Sequence, residues 1–292
     1  MNVTCWLDGR LVPSAATTVP VLSNAVFRGT TVFDVLAVVE TRAGPAVVGL
    51  RQHLERFVRS MLAMHMTPAV DVDDLVRIVT EVVSANPGCT VIRAVAYWDG
   101  APAPVPVDLT PRILVAAEAA TAPHRKSISL QSAVAKVDPT VLPTQIKVAA
   151  MYAGGVRAQI AAQHGGFDAI VNRSQDNMLE EGLSSSVVLI VGRRLVAPPL
   201  TDVLDSITRQ LILDVALHVG IEVEVGPVSW SVVVAADAAF MSSTTAPIVP
   251  IGRIDDVEYP IDHPVLVQLQ WLVGEVLSGS HQVSDRWLTV VS

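Results

Sequence analysis

Lysine is scarce in this chain. Its 292 residues include only three lysines, Lys126, Lys136 and Lys147, against seventeen arginines. A composition of this kind places arginine wherever positive charge alone is needed. Lysine can lose its proton and form a Schiff base with an aldehyde, which arginine cannot do. Lys147 lies in an almost charge-free stretch from residue 142 to residue 155, and it is the candidate for that chemistry.

Other features are also scarce, and each absence excludes a class of protein. The two cysteines, Cys5 and Cys89, form neither a disulfide framework nor a metal-binding pattern, so we predict reduced thiols, no metal site and a cytoplasmic protein. No uncharged apolar run reaches about 18 residues, which excludes a membrane span. The N-terminus lacks the basic start and apolar run of a signal peptide. A net charge of −8 argues against a nucleic-acid partner.

The first part of the chain alternates between strand and helix patterns. Residues 32–39 read as a strand, and residues 51–64 then change to apolar residues every three or four positions, which is typical of a helix. A second amphipathic helix is predicted for residues 73–84. With strands at residues 90–98 and 112–117, this pattern indicates a small α+β domain over residues 1–119.

The second part is also mixed, and the overall fold class predicted is α+β with two domains. Residues 120–125 are the candidate linker, and residues 126–292 form the larger domain, which carries Lys147. Asp205 or Ser206 caps a predicted helix that Gly220 ends. The predicted helices of this domain cover residues 148–164, 207–219 and 265–277, with strands at residues 127–134, 167–171 and 187–191.

A pair of acidic residues, Glu180 and Glu181, follows Lys147 along the chain, with Glu181 34 residues after it. An amine that holds an aldehyde cofactor and a carboxylate that pairs with its ring nitrogen are the two ends of a pyridoxal phosphate site. Taken alone, both features have an ordinary reading, as a surface lysine and an exposed acidic turn.

Anion-binding features surround this pair in sequence. The first-turn N–H groups of the helix that begins at Ile207 have no partner within the helix and suit a phosphate. Residues 242–245 place four hydroxyls in a row, which fits either a capped turn or a nest of donors. Arg56 falls off the apolar stripe of its helix, as a solvated arginine also would.

The order of these motifs resembles the class IV aminotransferases, which are the fold-type-IV pyridoxal phosphate enzymes. This family includes branched-chain aminotransferases, D-amino acid transaminases, aminodeoxychorismate lyase and (R)-selective amine transaminases. The resemblance runs from about Leu7 to Ile254. It rests on five segments and on Lys147: residues 28–34, the His-x-x-Arg pattern ending at Arg56, the Glu-Gly pair at Glu181, residues 206–209 and residues 242–246.

The resemblance implies roles in binding the cofactor. Lys147 matches the Schiff-base lysine, which also acts as the catalytic base and acid. Glu181, rather than Glu180, faces the pyridine nitrogen. Tyr152 falls where branched-chain enzymes place a tyrosine that hydrogen-bonds the cofactor's phenolic oxygen. The implied phosphate contacts are the side chains of Arg56 and Thr244 and the backbone amides of Ile207 and Thr208.

The resemblance leaves the substrate more open. The implied substrate-binding residues are Arg28, Phe33, Arg93 and Thr245. Arg28 stands where the family commonly has an aromatic residue, and Ser186 stands where it usually has asparagine. Both arginines favour an amino acid over a simple amine. Tyr152 favours a branched-chain or hydrophobic L-amino acid, whereas residues 242–246 are as close to D-amino acid transaminases.

The implied reaction is transfer of an amino group between an amino acid and a 2-oxo acid. Two alternatives stay open from the sequence. One is a pyridoxal phosphate lyase of the 4-amino-4-deoxychorismate lyase type, which uses the same Lys147. The other is a non-enzymatic relic of the fold, against which intact Lys147 and Glu181 argue. The resemblance also implies a two-domain fold with the cofactor between the domains, and a homodimer.

Overall fold

The computed structural model describes residues 3–100, 110–120, 125–134 and 141–291. The chain packs into two compact units. The first comprises Met1–Thr121, Ile146–Ala150 and Leu277–Ser292, and the second comprises Ala122–Gln145 and Met151–Val276. Most of the predicted linker lies outside the described residues, and the predicted domain boundary stays a prediction.

Strands and helices alternate in both units, as the mixed sequence pattern predicts. The described strands are β1 (Thr4–Leu7), β2 (Arg10–Pro13), β3 (Val32–Thr41), β4 (Gly44–Val48), β5 (Val91–Tyr97), β6 (Arg112–Glu118), β7 (Ile128–Ala133), β8 (Ala169–Arg173), β9 (Leu179–Gly182), β10 (Ser186–Val191), β11 (Arg194–Ala197), β12 (Glu222–Val225), β13 (Ala238–Ser243), β14 (Ala246–Ile254), β15 (Val257–Glu258) and β16 (Leu288–Val290). The described α-helices are α1 (Asn24–Phe27), α2 (Leu50–Ala63), α3 (Val72–Ser84), α4 (Tyr152–His164), α5 (Ile207–His218), α6 (Trp230–Ala235), α7 (Pro264–Leu277) and α8 (Ser284–Trp287).

The first unit is a sheet covered by helices on one face. Its strand order is β16-β4-β3-β5-β6-β1-β2. Along β3 the even-numbered residues from Val32 to Val38 are buried, and this face meets α2. Of the apolar stripe predicted for α2, Leu54, Phe57 and Met61 are buried, whereas Val58 is only half-buried. The same strand alternation places Asp34 in this interior.

The second unit contains the sheet β12-β11-β10-β13-β14-β7-β8-β9, with β15 paired to β14. Its core includes Leu189, Ala239 and Met241, which all belong to one face of the paired strands β10 and β13. Helix α5 contacts β12 and β13. Ser206 caps this helix by accepting a hydrogen bond from the amide of Arg209, and Gly220 follows its end with φ +75°. These two features confirm the predicted limits of α5.

Backbone pairing shows to which unit the segment around Lys147 belongs. Val148 forms an antiparallel bridge with Val32, and the amide of Ala149 donates to the carbonyl of Thr31 at 2.8 Å. Residues 146–150 therefore pack with the first unit, whereas the sequence placed Lys147 in the larger C-terminal domain. The predicted helix at residues 148–164 begins as an α-helix only at Tyr152, because the residues before it make these contacts with β3.

Candidate active site

Lys147 is held by its main chain on both sides. Its amide donates to the hydroxyl of Ser60 at 3.0 Å, and its carbonyl accepts from the amide of Phe33 at 3.1 Å. Its Nζ lies 5.0 Å from the centre of the Phe33 ring. A cation over an aromatic face is weakly attracted to it, so Phe33 helps to set the position of the amine. The structure thus brings together two of the predicted site residues.

Phe33 also belongs to the half-buried face of the first sheet. It pairs directly with Val95 across β3 and β5, and Val35 pairs with Arg93. Because side chains alternate along a strand, Phe33, Val35 and Arg93 share one face. Arg93 Nε donates to Glu118 at 2.6 Å, and both of these side chains are about two-fifths exposed. Arg93, predicted to bind substrate, therefore lies on the same sheet face as the ring that contacts Lys147.

A buried charged cluster fills the opposite face of β3. Arg56 Nε donates to Asp34 Oδ2 at 2.9 Å, and Arg56 Nη2 donates to Asp34 Oδ1 at 2.7 Å. His53 Nδ1 lies 2.7 Å from the same Oδ1 atom. The three residues are at most 3% exposed. The predicted phosphate ligand Arg56 is thus fixed at two points by an acidic partner.

The charge state of this cluster follows from its surroundings. Burial alone would raise the pKa of Asp34, but Arg56 and His53 outweigh it, and the pKa lies well below its ordinary value. Burial lowers the pKa of His53, with Arg56 and Lys147 adding to the effect and Asp34 opposing it. His53 is then neutral at pH 7, so Arg56 is the permanent cation that keeps Asp34 ionised.

Glu181 lies at the end of β9 in the second unit. Both of its carboxylate oxygens lie 3.2 Å from the amide nitrogen of Leu204, which donates to them. A Cβ on the following residue, Gly182, would lie 2.6 Å from Met241 Cε and 2.7 Å from Ser185 Oγ, so these two side chains would have to move to admit it. The Glu-Gly pair therefore combines an oriented carboxylate with a closely packed glycine.

The start of α5 also belongs to the second unit. Ile207 and Thr208 are buried in its first turn, where backbone N–H groups suit an anion. The next residue, Arg209, is 3% exposed, and its Nη2 donates to the carbonyl of Pro198 at 2.6 Å. Burial lowers the pKa of Arg209, with the charges of Asp205 and Glu181 opposing it. The charge of Glu181 therefore acts on Arg209, the residue directly after Ile207 and Thr208.

Two buried serines occupy paired positions on β10 and β13. Ser186 pairs with Ser242, and both side chains are nearly inaccessible. Within the described residues, neither hydroxyl has a hydrogen-bond partner. Buried polar groups normally have one. Unpartnered buried hydroxyls, the N–H groups of the α5 turn and the Glu181 carboxylate are the kinds of donor and acceptor that a phosphorylated pyridine needs, so the residue types present suit pyridoxal phosphate.

The remaining predicted residues are placed individually. Thr244 and Thr245 form the turn between β13 and β14, with Thr244 half-buried and Thr245 exposed. Tyr152 is the half-buried first residue of α4. Arg28 is exposed and follows α1, and its amide donates to the carbonyl of Asn24 at 3.1 Å.

The chain is similar to known proteins over most of its length. The family model for amino-transferase class IV matches residues 31–254. The probable branched-chain-amino-acid aminotransferase of Aquifex aeolicus is 24% identical, covering 98% of this chain and 96% of that protein. The branched-chain-amino-acid aminotransferase of Escherichia coli strain K12 is also 24% identical, covering 97% of this chain and 94% of that protein.

Solved structures show the same fold. The branched-chain aminotransferase of Thermoproteus uzoniensis with norvaline has a TM-score of 0.93 at 26% identity and covers 99% of each chain. The T.th. branched-chain amino acid aminotransferase complexed with N-(5'-phosphopyridoxyl)-L-glutamate has a TM-score of 0.92 at 27% identity, covering 100% of this chain and 99% of that chain.

The fold is that of the fold-type-IV pyridoxal phosphate enzymes. The chain belongs to the amino-transferase class IV family. The predicted family, fold class, cofactor and aminotransferase activity are confirmed. The relatives named above are aminotransferases, which favours transamination over the alternative lyase reaction. The described residues include no helix long and apolar enough to cross a membrane.

Sequence reasoning did not find three residues that arrange this site: Asp34, Ser60 and Leu204. Asp34 carried a usable signal, because strand alternation puts a carboxylate at a core position, where it needs a buried cation. No such signal in the sequence pointed to Ser60 or Leu204. Their contacts join residues 87 and 23 positions apart in the chain, and no local pattern encodes such a contact.

Proposed function

We propose that this aminotransferase moves the amino group of a branched-chain or other hydrophobic L-amino acid to a 2-oxo acid. The observation that carries the proposal is the position of Lys147 Nζ, 5.0 Å from the Phe33 ring centre. Val35 and Val95 lie beside Phe33 on the same sheet face. An apolar surface next to the reacting amine suits an aliphatic side chain. Tyr152 and the names of the relatives point to the same substrate class.

Lys147 and Glu181 carry the proton chemistry in this proposal. Pyridoxal phosphate, when bound, supplies a ring that withdraws electrons from the substrate's Cα. Lys147 would hold the cofactor, and its Nζ would serve as the general base that takes the proton from the substrate's Cα and as the acid that returns it. Glu181 would be the hydrogen-bond acceptor for the cofactor's protonated ring nitrogen. The Leu204 amide, 3.2 Å from each oxygen of Glu181, helps to hold that carboxylate in place. Tyr152 would donate a hydrogen bond to the cofactor's phenolic oxygen.

The remaining cofactor-binding residues hold phosphate. We assign this role to the side chains of Arg56 and Thr244 and to the amides of Ile207 and Thr208. Arg56 suits it because Asp34 fixes its guanidinium at two points, which limits how far its donors can turn. An anchored phosphate keeps the ring in place while Lys147 moves the proton.

Arg28, Arg93 and Thr245 are the proposed partners of substrate carboxylates. Arg93 supports this role because it shares a sheet face with Phe33, although it also pairs with Glu118. Arg28 and Thr245 are exposed and leave their polar groups accessible. Two arginines that contact the substrate favour an amino acid over a simple amine, which has no carboxylate, because a carboxylate accepts two hydrogen bonds from one guanidinium.

A panel of L- and D-amino acids tests the proposal. Each is added to the holoenzyme without a keto acid, and the spectrum is followed for conversion to the pyridoxamine form. We expect conversion with L-leucine, L-isoleucine and L-valine. If only D-amino acids gave conversion, the proposed preference for L-amino acids would be wrong. A return to the starting spectrum, with the amino acid consumed in excess of the enzyme, would support the lyase reaction instead.

We also propose a cytoplasmic homodimer. Cys5 and Cys89 are free and buried, which suits a reducing compartment. A group of apolar side chains around α1 is more than half exposed, and it suits burial against a second copy: Val21, Leu22, Val26 and Phe27. Light scattering coupled to size-exclusion chromatography should give twice the chain mass of 31.0 kDa. A single-chain mass at all concentrations would contradict the dimer.

A further inference from the structure

Helix α2 presents one polar edge to the interior of the first unit. His53, Arg56 and Ser60 are buried and follow at intervals of three and four residues, so they share a face. The first two bind Asp34, as described above. The third, Ser60, is 0% exposed and contacts the segment that carries the reacting lysine.

The hydroxyl of Ser60 makes two hydrogen bonds in opposite senses. It accepts from the amide of Lys147 at 3.0 Å and donates to the carbonyl of Arg56 at 2.9 Å. One side-chain oxygen thus connects the main chain of the Schiff-base lysine to the helical turn of the proposed phosphate ligand. The connection lies entirely within the first unit.

The other bonds that hold this segment differ from that of Ser60. The hydrogen bonds that Phe33, Thr31 and Gly29 form with residues 147, 149 and 150 involve backbone atoms alone. A backbone bond of this kind survives most substitutions, whereas the bond to Ser60 depends on the side chain. Without it, the Lys147 amide loses its partner inside a half-buried segment, and the segment relieves that loss by shifting.

We propose that Ser60 is a positioning residue that sets the place of Lys147 for proton transfer. The proposal rests on the proposed role of Lys147 in transamination. An amine that moves a proton between two fixed carbon atoms needs accurate placement, and a displacement of about 1 Å costs up to about 100-fold in rate. Ser60 acts on the reaction only through the lysine main chain.

Ser60→Ala is the test, and Ser84→Ala is the matched control. Ser84 also donates to the carbonyl four residues earlier, at 2.9 Å, but it lies in α3 and is exposed. We expect Ser60→Ala to lower kcat by about 10- to 100-fold with a smaller change in KM. Ser84→Ala should keep the wild-type kcat. Ser60→Thr keeps the hydroxyl and should recover most of the lost kcat.

A second measurement does not depend on turnover. Residue-resolved amide hydrogen exchange on the cofactor-free protein should show faster exchange at Lys147 in Ser60→Ala, and unchanged exchange there in Ser84→Ala. Faster exchange with wild-type kcat would overturn the positioning role. A lower kcat with unchanged exchange would show that Ser60 does not act through its hydrogen bond to the Lys147 amide. If Ser60→Ala does not fold, Ser60→Thr and Ser60→Cys decide by the same two readouts.

Failure of the proposed function is separable from failure of this inference. If the wild-type holoenzyme transaminates none of the amino acids, the proposed function falls, and the exchange data still report on the bond between Ser60 and Lys147. If wild type turns over and Ser60→Ala matches it in both kcat and exchange, only the positioning role is overturned.

Discussion

Asp34 and Arg56 are joined by two hydrogen bonds in the interior of the first unit. The carboxylate is 0% exposed and the guanidinium side chain 4%. The two bonds, of 2.9 and 2.7 Å, fix the plane of the guanidinium as well as its position. Arg56 can therefore present its donors in one direction only, which matters for a residue proposed to hold a phosphate.

Removing the charge of Asp34 should be strongly destabilising. In Asp34→Asn, Arg56 stays buried without a countercharge, and we expect the free energy of unfolding to fall by about 3–5 kcal/mol. Urea denaturation of both proteins measures the difference. Asp73→Asn is the control, because Asp73 pairs with Arg51 at the surface and should cost less than about 1 kcal/mol. Equal losses in the two variants would contradict the special role of the buried pair.

The same pair should make stability depend on pH. The pKa of Asp34 is lowered in the folded state, so its contribution is complete above the unfolded-state value of about 3.9. The contribution is lost as the pH falls below that value towards the folded-state pKa. Denaturation series from pH 7 to pH 2.5 should show a steeper loss of stability for wild type than for Asp34→Asn. Parallel curves would argue against an ionised Asp34 in the folded protein.

Lys147 should be essential in a way that another lysine is not. Lys147→Ala should remove the visible absorbance of bound cofactor that comes from the Schiff base, together with all transamination, because no other amine replaces it. The matched control is Lys126→Ala, since Lys126 is exposed and has no proposed role. Absorbance spectra and a coupled transamination assay check both variants. Wild-type turnover in Lys147→Ala would show that Lys147 is not the Schiff-base lysine.

Substitutions of the two adjacent acidic residues, Glu180 and Glu181, should have very different effects on kcat. Glu181→Gln removes the charge that keeps the pyridine nitrogen protonated, and we expect kcat to fall by at least about 100-fold. Glu180→Gln is the internal control and should stay within about threefold of wild type, because strand alternation turns Glu180 to the other face. Steady-state kinetics with both variants measure this. A larger effect from Glu180→Gln would reverse the choice between the two residues.

A methyl group at Gly182 should force neighbouring side chains to move. Its Cβ would meet Met241 Cε at 2.6 Å and Ser185 Oγ at 2.7 Å. We expect Gly182→Ala to lower the free energy of unfolding by about 1–3 kcal/mol and to weaken cofactor binding by displacing Glu181. Gly274→Ala, in α7, meets no atom within 4 Å and should stabilise the protein by about 0.4–1 kcal/mol. Thermal melts and cofactor titrations distinguish these outcomes.

The periodic parts of this protein were readable from sequence. The stripe Leu54, Phe57 and Met61 located α2, and the cap at Ser206 with the stop at Gly220 located α5. Both signals are local, because a helix joins residues three or four apart. The start of α4 was predicted four residues early, since residues before Tyr152 bond to β3 and local propensity cannot show that.

The sequence by itself determined the kinds of residue available for the chemistry. A single lysine in a charge-free stretch, a Glu-Gly pair and a capped helix start in family order led to the family and its cofactor. Tertiary structure alone decided how those residues are held. Ser60 reaches Lys147 across 87 positions, and Asp34 reaches Arg56 across 22. Such bonds form only when strand pairing and helix packing bring distant segments together, and one sequence records no trace of that geometry.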